Sequence, residues 1–218
     1  MRYKVIVFDW DGTIMDTIGI IVRCLQKGAR RLGLPRPSRR ACRGVIGMGW
    51  HQVLARMGPD LTPEQADNYV ATFRKTYTRL ARHERFYEGM PALLQKLKDA
   101  GYILTIATGK SRAGLDRVLN EKRVRHLFST TCTADCYAGK PAPDMLEHIA
   151  MMEGVNPYDM VMVGDTVHDM GAARNMGCDA VAMLYGAQTK ARLRPFAPKA
   201  FCSSVEELRA FFFPKKSK

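Results

Sequence analysis

The sequence VIVFDWDGT occupies residues 5–13 and places two carboxylates directly after a short apolar run. β-Branched and aromatic residues in such a run indicate a buried β-strand. Side chains two residues apart in an extended chain point the same way, so Asp9 and Asp11 would face one site. Neighbouring carboxylates repel unless a cation lies between them, and Mg2+ prefers such oxygen ligands. Gly12 would permit a sharp turn. The alternative is an ordinary loop turn after a strand.

The composition is typical of a globular protein, with 218 residues, 46% hydrophobic and 25% charged. This length suits one domain, or one domain with a smaller insert. No stretch approaches the ~20 apolar residues of a membrane span. The first four residues lead into the predicted strand and not into a signal-peptide core, so we expect a cytoplasmic protein with no membrane partner.

Six cysteines are scattered along the chain, and only Cys132 and Cys136 lie close together. No Cys-x-x-Cys or His-x-His pattern accompanies them. We therefore expect reduced thiols and neither a zinc site nor disulfides.

Residues 16–85 have helical periodicity with no predicted strand between Thr17 and Phe86. The expected helices span residues 18–32, 50–57 and 62 to about 83, the last with Thr62 as its N-cap. We predict an inserted all-helical cap domain over 16–85, and a core domain formed by 1–15 and 86–218.

The predicted core domain alternates strands and helices. Strands are expected at 3–8, 102–107, 127–132, 160–163 and 180–184, and helices at 92–100, 111–119, 144–152, 169–176 and 205–212. This alternation predicts an α/β fold, with a Rossmann-like doubly wound parallel sheet covered by helices on both faces. Residues 214–218 are expected to be frayed.

Three polar clusters follow predicted strands, at the edge of a parallel sheet where ligands bind. In the first, Thr108 and Gly109 precede a helix, and a hydroxyl with free amides there can bind an oxyanion. Thr-Gly is also a common turn. In the second, two prolines after Lys140 stiffen the loop and would fix this lysine to hold a substrate phosphate. The alternative is an ordinary exposed lysine.

The third cluster places Asp165 at the end of a wholly apolar strand and Asp169 one helical turn later. An unpaired buried carboxylate is costly, so packing alone does not explain Asp165. It would complete a Mg2+ site with Asp9 and the backbone of Asp11. His168 is a lone loop histidine, to which we assign no role.

The net charge of +13 is concentrated in residues 16–85, where fourteen Lys and Arg face five Asp and Glu. Such a segment can attract phosphorylated substrates or nucleic acid, or it can be the solvated face of helices. The loop at residues 43–49 contains three glycines. It is either a mobile loop that enters the site, with Arg43 contributing to specificity, or a plain connection between helices.

The four motifs, in this order, resemble those of the haloacid dehalogenase superfamily. They are DWDGT at 9–13, Thr108, Lys140 and GDTVHD at 164–169. The helical insert and residues 108–115 are similar to the phosphoglycolate phosphatase-like branch. Trp10 stands where Phe is more usual.

The resemblance implies a role for each motif residue. Asp9 would be the nucleophile, and Asp11 the general acid and base. Mg2+ would be held by Asp9, the carbonyl of Asp11, and Asp165. The phosphate oxygens would contact Thr108, Gly109 and Lys140, while Asp169 would orient a metal-bound water or Lys140.

The expected function is Mg2+-dependent hydrolysis of small phosphomonoesters of acids or sugars, and phosphoglycolate is the first candidate. The partner is therefore a small phosphorylated metabolite. A phosphomutase similar to β-phosphoglucomutase shares all four motifs and stays open. A basic RNA- or protein-binding module with an inactive site is a second alternative. We do not expect nucleic acid, because the arginines of residues 16–85 lack the regular aromatic interleaving that favours stacking on single strands.

Overall fold

The computed structural model describes residues 2–214 and contains a six-stranded parallel sheet. In spatial order the strands are β5 (Phe128–Thr133), β4 (Ile103–Thr108), β1 (Val5–Phe8), β6 (Met160–Gly164), β7 (Asp179–Met183) and β8 (Ala200–Cys202). β1 lies between β4 and β6, with Phe8 paired to Ile106 and Val163. Asp9 therefore leaves the centre of the sheet at its carboxyl edge.

Helices cover both faces of this sheet. They are α5 (Met90–Asp99), α6 (Arg112–Glu121), α7 (Asp144–Glu153), α8 (Val167–Met176), α9 (Lys190–Leu193) and α10 (Val205–Phe212). Successive β1 side chains point to opposite faces. Ile6 and Phe8 join the apolar cluster that includes α5, α6 and α10, whereas Val5 and Val7 join the cluster that includes α7 and α8. A wholly apolar strand is thus a strand buried on both sides, and the predicted doubly wound α/β fold is confirmed.

The segment between the first two strands of the sheet is helical, and we call residues 16–85 the helical segment. It contains α1 (Ile18–Arg31), α2 (Arg39–Gly44), α3 (Trp50–Met57) and α4 (Pro63–Leu80), followed by a short 3-10 turn. A third apolar cluster holds these helices together. Within it, Tyr69 of α4 lies against Gly28 of α1 and donates its hydroxyl to the Leu25 carbonyl at 2.7 Å. That this segment is a separate cap domain remains a prediction.

Several predicted boundaries differ from the structure. A two-stranded antiparallel ribbon, β2 (Met15–Asp16) and β3 (Arg85–Phe86), borders the helical segment. The expectation of no strand between 17 and 86 is therefore wrong at Arg85, because a two-residue strand is too short to show a periodicity. Sequence patterns also missed β8, α2 and α9.

Other boundaries shift by a few residues. α8 begins at Val167 and not at Asp169, because Thr166 caps it through a hydrogen bond from the Asp169 amide. α4 ends at Leu80, and residues 81–83 form the 3-10 turn. Of the tail expected to fray, residues 215–218 lie outside the described part of the chain.

All six cysteines are free. None of the helices within residues 2–214 combines the length and apolar character that crossing a bilayer requires.

Candidate active site

The carboxyl edge of the sheet brings the predicted motif residues together. The Lys140 Nζ donates to Asp9 Oδ1 at 2.8 Å, to Asp169 Oδ1 at 2.6 Å and to the Ala107 carbonyl at 2.8 Å. The lysine side chain is 0% exposed, so the prediction of a fixed lysine is confirmed and the surface-lysine alternative is wrong. A buried ammonium with three acceptors is a rigid positive centre between two carboxylates.

Three carboxylates lie close enough to share one cation. Oxygen atoms of Asp9, Asp165 and Asp169 all lie within 4.8 Å of one another, and all three residues are buried. Both oxygens of Asp169 already have hydrogen-bond donors. Its Oδ1 accepts from Lys140, and its Oδ2 accepts from the Thr166 amide at 2.9 Å and the Thr166 hydroxyl at 2.7 Å. By contrast, Asp9 Oδ2 is buried and has no hydrogen-bond partner within residues 2–214.

The surroundings of Asp165 show why glycines stand nearby. A Cβ built on Gly12 would lie 2.4 Å from Asp165 Oδ2, and one built on Gly186 would lie 2.2 Å from it. Gly12 also has φ of +90°, which only glycine adopts readily. The Thr13 hydroxyl donates to Asp165 Oδ1 at 3.1 Å. The donor set is all oxygen, with one unpaired buried atom, and so it fits a hard cation such as Mg2+.

The protonation preferences of these acids also favour a cation. Burial is the main cause that raises the pKa of Asp9 to about 7, against the opposing pull of Lys140. Burial likewise raises the pKa of Asp165 well above its ordinary value, and the neighbouring carboxylates of Asp169 and Asp9 raise it further. Burial alone would lower the pKa of Lys140, but Asp169 and Asp9 outweigh it and raise that pKa. Without a metal ion, Lys140 therefore balances only part of the negative charge of the three carboxylates.

The Asp11 side chain lies outside this acidic cluster. Its carboxylate accepts from Lys110 Nζ at 2.8 and 2.9 Å and from the Thr17 hydroxyl at 2.7 Å. Asp9 and Asp11 nevertheless line the same cavity. The expected share of Asp11 in metal binding therefore falls to its backbone carbonyl, because its carboxylate is bonded to Lys110 and Thr17.

Thr108 and Gly109 lie at the same edge. Thr108 is 1% exposed, and its hydroxyl accepts from the Lys110 amide at 3.3 Å. A Cβ on Gly109 would lie 2.9 Å from the Gly47 carbonyl group, so the glycine loop packs directly on this motif. The loop thus reaches the site and is more than a plain connection.

Arg43 has a different place from the one expected. Its Nε donates to the Ala187 carbonyl at 2.8 Å, and its Nη2 donates to the Gly186 carbonyl. Arg43 therefore joins the helical segment to the loop that follows β7. The loop residues that line the cavity are 45–48.

Sequence reasoning missed a chain of partly buried polar contacts beside Asp11. The Lys110 Nζ also donates to the Tyr77 hydroxyl at 2.9 Å, and Tyr77 donates to Glu84 Oε1 at 2.6 Å. Arg117 donates to Glu84 Oε2 at 3.0 Å. Lys110 directly follows Thr108-Gly109, which was a usable signal, but nothing in the sequence pairs it with Tyr77.

A family model described as haloacid dehalogenase-like hydrolase matches residues 6–183. The chain therefore belongs to the haloacid dehalogenase-like hydrolase family, as its motifs predict. The phosphoglycolate phosphatase of Vibrio cholerae serotype O1 is 29% identical over 192 residues, which cover 84% of this chain and 85% of that protein. The "Probable phosphatase IndB" of Dickeya dadantii is 31% identical over 209 residues, 93% of this chain and 90% of that protein.

The fold is shared with solved structures. The crystal structure described as that of a predicted phosphoglycolate phosphatase from Haemophilus somnus 129pt has a TM-score of 0.88 at 23% identity, covering 97% of this chain and 99% of that one. At that identity the likeness establishes the fold alone. The named relatives confirm the predicted class, a phosphatase of the phosphoglycolate phosphatase-like branch.

Proposed function

We propose that the protein is a Mg2+-dependent phosphatase that hydrolyses small phosphomonoesters through a phosphoryl group carried on Asp9. The observation that supports this most is the Asp9–Lys140–Asp169 cluster, together with Asp165, at the carboxyl edge of the sheet. Lys140 leaves only one Asp9 oxygen unpartnered within the described residues, and Asp9 lines the cavity. A carboxylate so placed is suited to nucleophilic attack.

In the first half-reaction, an Asp9 oxygen bonds to phosphorus and the bond from phosphorus to the alcohol oxygen breaks. Asp11 gives its proton to that oxygen, so a neutral alcohol leaves. In the second half-reaction, Asp11 takes a proton from water, the water oxygen bonds to phosphorus, and the bond between phosphorus and the Asp9 oxygen breaks. Inorganic phosphate leaves, and the Asp9 carboxylate is restored.

The other motif residues bind and orient the phosphoryl group. Lys140 is held by Asp9 and Asp169, so its charge needs no reorganisation during the reaction. The Thr108 hydroxyl and the Gly109 backbone lie at the neighbouring strand end and would bind the non-reacting oxygens.

Asp9, the Asp11 carbonyl and Asp165 would hold the metal ion, with Asp169 fixing Lys140 and the Thr166 turn beside it. When bound, Mg2+ neutralises charge on the phosphoryl group and on its acidic ligands. We further propose that the helical segment is the cap over this site, because its residues supply one side of the cavity.

The test is phosphate release from a panel of small phosphomonoesters, beginning with phosphoglycolate and hexose phosphates, with Mg2+ and with EDTA. We expect release with Mg2+ and its loss with EDTA. Conversion of one sugar phosphate into its isomer without phosphate release would identify a phosphomutase instead. The absence of both activities across the panel would contradict the proposal.

A further inference from the structure

The cavity that contains Asp9 and Asp11 has two unlike halves. The carboxylates, Thr108 and Lys110 lie at one side, whereas the helical segment supplies mainly apolar side chains. These include Leu25, Ile46, Met48, Trp50, Phe73 and Tyr77. The cavity volume is about 560 Å3. This lies inside the range of roughly 300–1,000 Å3 that is usual for pockets that enclose drug-sized ligands.

Three aromatic rings form a continuous wall on the apolar side. The Trp50 and Phe73 centroids are 4.7 Å apart with an interplanar angle of 81°, and the Phe73 and Tyr77 centroids are 5.8 Å apart at 22°. Phe73 and Tyr77 are four residues apart on α4, so they share one helix face. All three rings are only partly buried. A partly exposed aromatic wall inside a concave site is suited to an apolar or planar ligand.

The charges that line the cavity are mostly balanced within the protein. Lys110 is paired with Asp11, and Arg117 is paired with Glu84 and Glu121. Arg74 is exposed and has no ion pair within residues 2–214. A two-carbon acid would therefore meet one exposed cation and leave the aromatic wall in contact with water.

We propose that the preferred substrate is a phosphate ester of an alcohol that carries an aromatic or heteroaromatic ring. The phosphate lies at Asp9, and the ring packs against Trp50 and Phe73. This proposal rests on the proposed phosphatase function, and it narrows the leaving group from any small alcohol to one with a ring. The ring of the substrate and the rings of Trp50 and Phe73 bury apolar area on binding. This burial favours a substrate with a ring over one without a ring.

The test compares two substrates that differ only by the ring, ethyl phosphate and 2-phenylethyl phosphate, with phosphoglycolate as a third. We expect kcat/KM to be about 30-fold higher for 2-phenylethyl phosphate than for ethyl phosphate, since a single methylene in an apolar pocket already changes kcat/KM by about 10- to 200-fold. Phe73→Ala and Trp50→Ala should each move this ratio towards one. Tyr158→Ala removes an aromatic side chain that is 72% exposed outside the cavity, and it should leave the ratio unchanged.

Binding provides a readout that does not depend on turnover or on well-folded variants. By calorimetry, the wild-type protein should bind 2-phenylethylphosphonate at least about 10-fold more tightly than ethylphosphonate. Equal affinities, or a higher kcat/KM for phosphoglycolate than for 2-phenylethyl phosphate, would overturn the ring preference and leave the phosphatase intact. No phosphate release with Mg2+ from any of the three esters, nor from the hexose phosphates of the panel above, would overturn the phosphatase function itself.

Discussion

Two lysine–aspartate pairs flank the reacting position, and they are built differently. Lys140 is bonded to Asp9, Asp169 and the Ala107 carbonyl, and all three partners lie outside the helical segment. Lys110 is bonded to Asp11 on the sheet side and to Tyr77 on α4 of the helical segment. The Lys140 pair is therefore held by residues outside the helical segment alone. The Lys110 pair also needs Tyr77 from the helical segment.

The difference indicates how the chemistry is divided. The proposed nucleophile has surroundings that do not depend on where the helical segment lies. The proposed acid and base is linked through Lys110 and Tyr77 to Glu84, which lies beside the β2–β3 ribbon and is 1% exposed. Proton transfer by Asp11 should therefore be sensitive to the position of the helical segment. Nucleophilic attack by Asp9 should not be.

Asp9→Asn should have the largest effect on activity. The amide keeps the shape of the side chain but is a very poor nucleophile, so turnover should fall by at least about 10^4-fold while circular dichroism shows an intact fold. Asp60→Asn, at an exposed aspartate of the helical segment, is the matched control and should retain activity. Normal phosphate release by Asp9→Asn would refute the assignment of the nucleophile.

Lys140→Met should have the largest effect on stability. It leaves the Asp9 and Asp169 carboxylates buried without their cation, which costs about 3–5 kcal/mol of unfolding free energy in EDTA. Urea denaturation measures this loss. Lys4→Met is the control, because it removes an ion pair with Asp159 in which the lysine side chain is 65% exposed. Its unfolding free energy should change by no more than about 1 kcal/mol. Equal losses in both variants would show that the buried cluster is not a special feature of the fold.

The unfolding free energy of the metal-free protein should depend on pH in a defined direction. Burial raises the pKa of Asp9 from 3.8 to about 7, so the metal-free native state retains a proton that the unfolded chain has released between these values. The stability from this proton is fully present below pH 3.8 and is lost as pH rises through 7. The unfolding free energy of the metal-free wild type, relative to Asp9→Asn, should therefore fall across this window.

Mg2+ competes with that proton, so its stabilising effect should grow as pH rises. At a concentration of about 100 times its Kd, Mg2+ adds about 2.7 kcal/mol at alkaline pH, and the same concentration should add less at pH 5.5. Thermal melts with and without Mg2+ measure the difference. A Mg2+ effect that is independent of pH, or that persists fully in Asp9→Asn, would contradict a metal site at Asp9.

Tyr77→Phe should have the smallest effect and tests the second pair directly. Loss of the hydroxyl breaks the link from Lys110 to Glu84, and kcat should fall by about 3- to 10-fold. The effect should disappear in a Lys110→Met background, because the two residues act as one unit. Tyr69→Phe removes a hydroxyl that bonds only within the helical segment, so it should affect stability but not kcat. Equal kcat losses in both tyrosine variants would remove the distinction between the two lysine pairs.

Local sequence patterns were sufficient for five of the six strands of the sheet, all but β8, and for the convergence of the motifs. The run before Asp9 is apolar at every position because β1 is buried on both faces, and parallel strand ends necessarily meet at one edge. A buried Lys140 also follows, since two carboxylates placed there require a cation.

The features that the sequence did not predict depend mostly on contacts between distant residues, which no local pattern specifies. Tyr77 and Lys110 are 33 positions apart, and they meet only because α4 lies against the loop that follows β4. The separation of Asp11 from the acidic cluster likewise follows from its partners Lys110 and Thr17. The β2–β3 ribbon has two residues a strand, too few for a periodicity to be read.

Mass spectrometry of the acid-quenched enzyme during turnover tests the central claim most directly. With Mg2+ and a hydrolysed phosphomonoester, we expect a phosphoryl group on the peptide that contains Asp9, and its absence in Asp9→Asn and in EDTA. A phosphoryl group on another residue, or steady turnover in the Asp9→Asn protein, would contradict the claim.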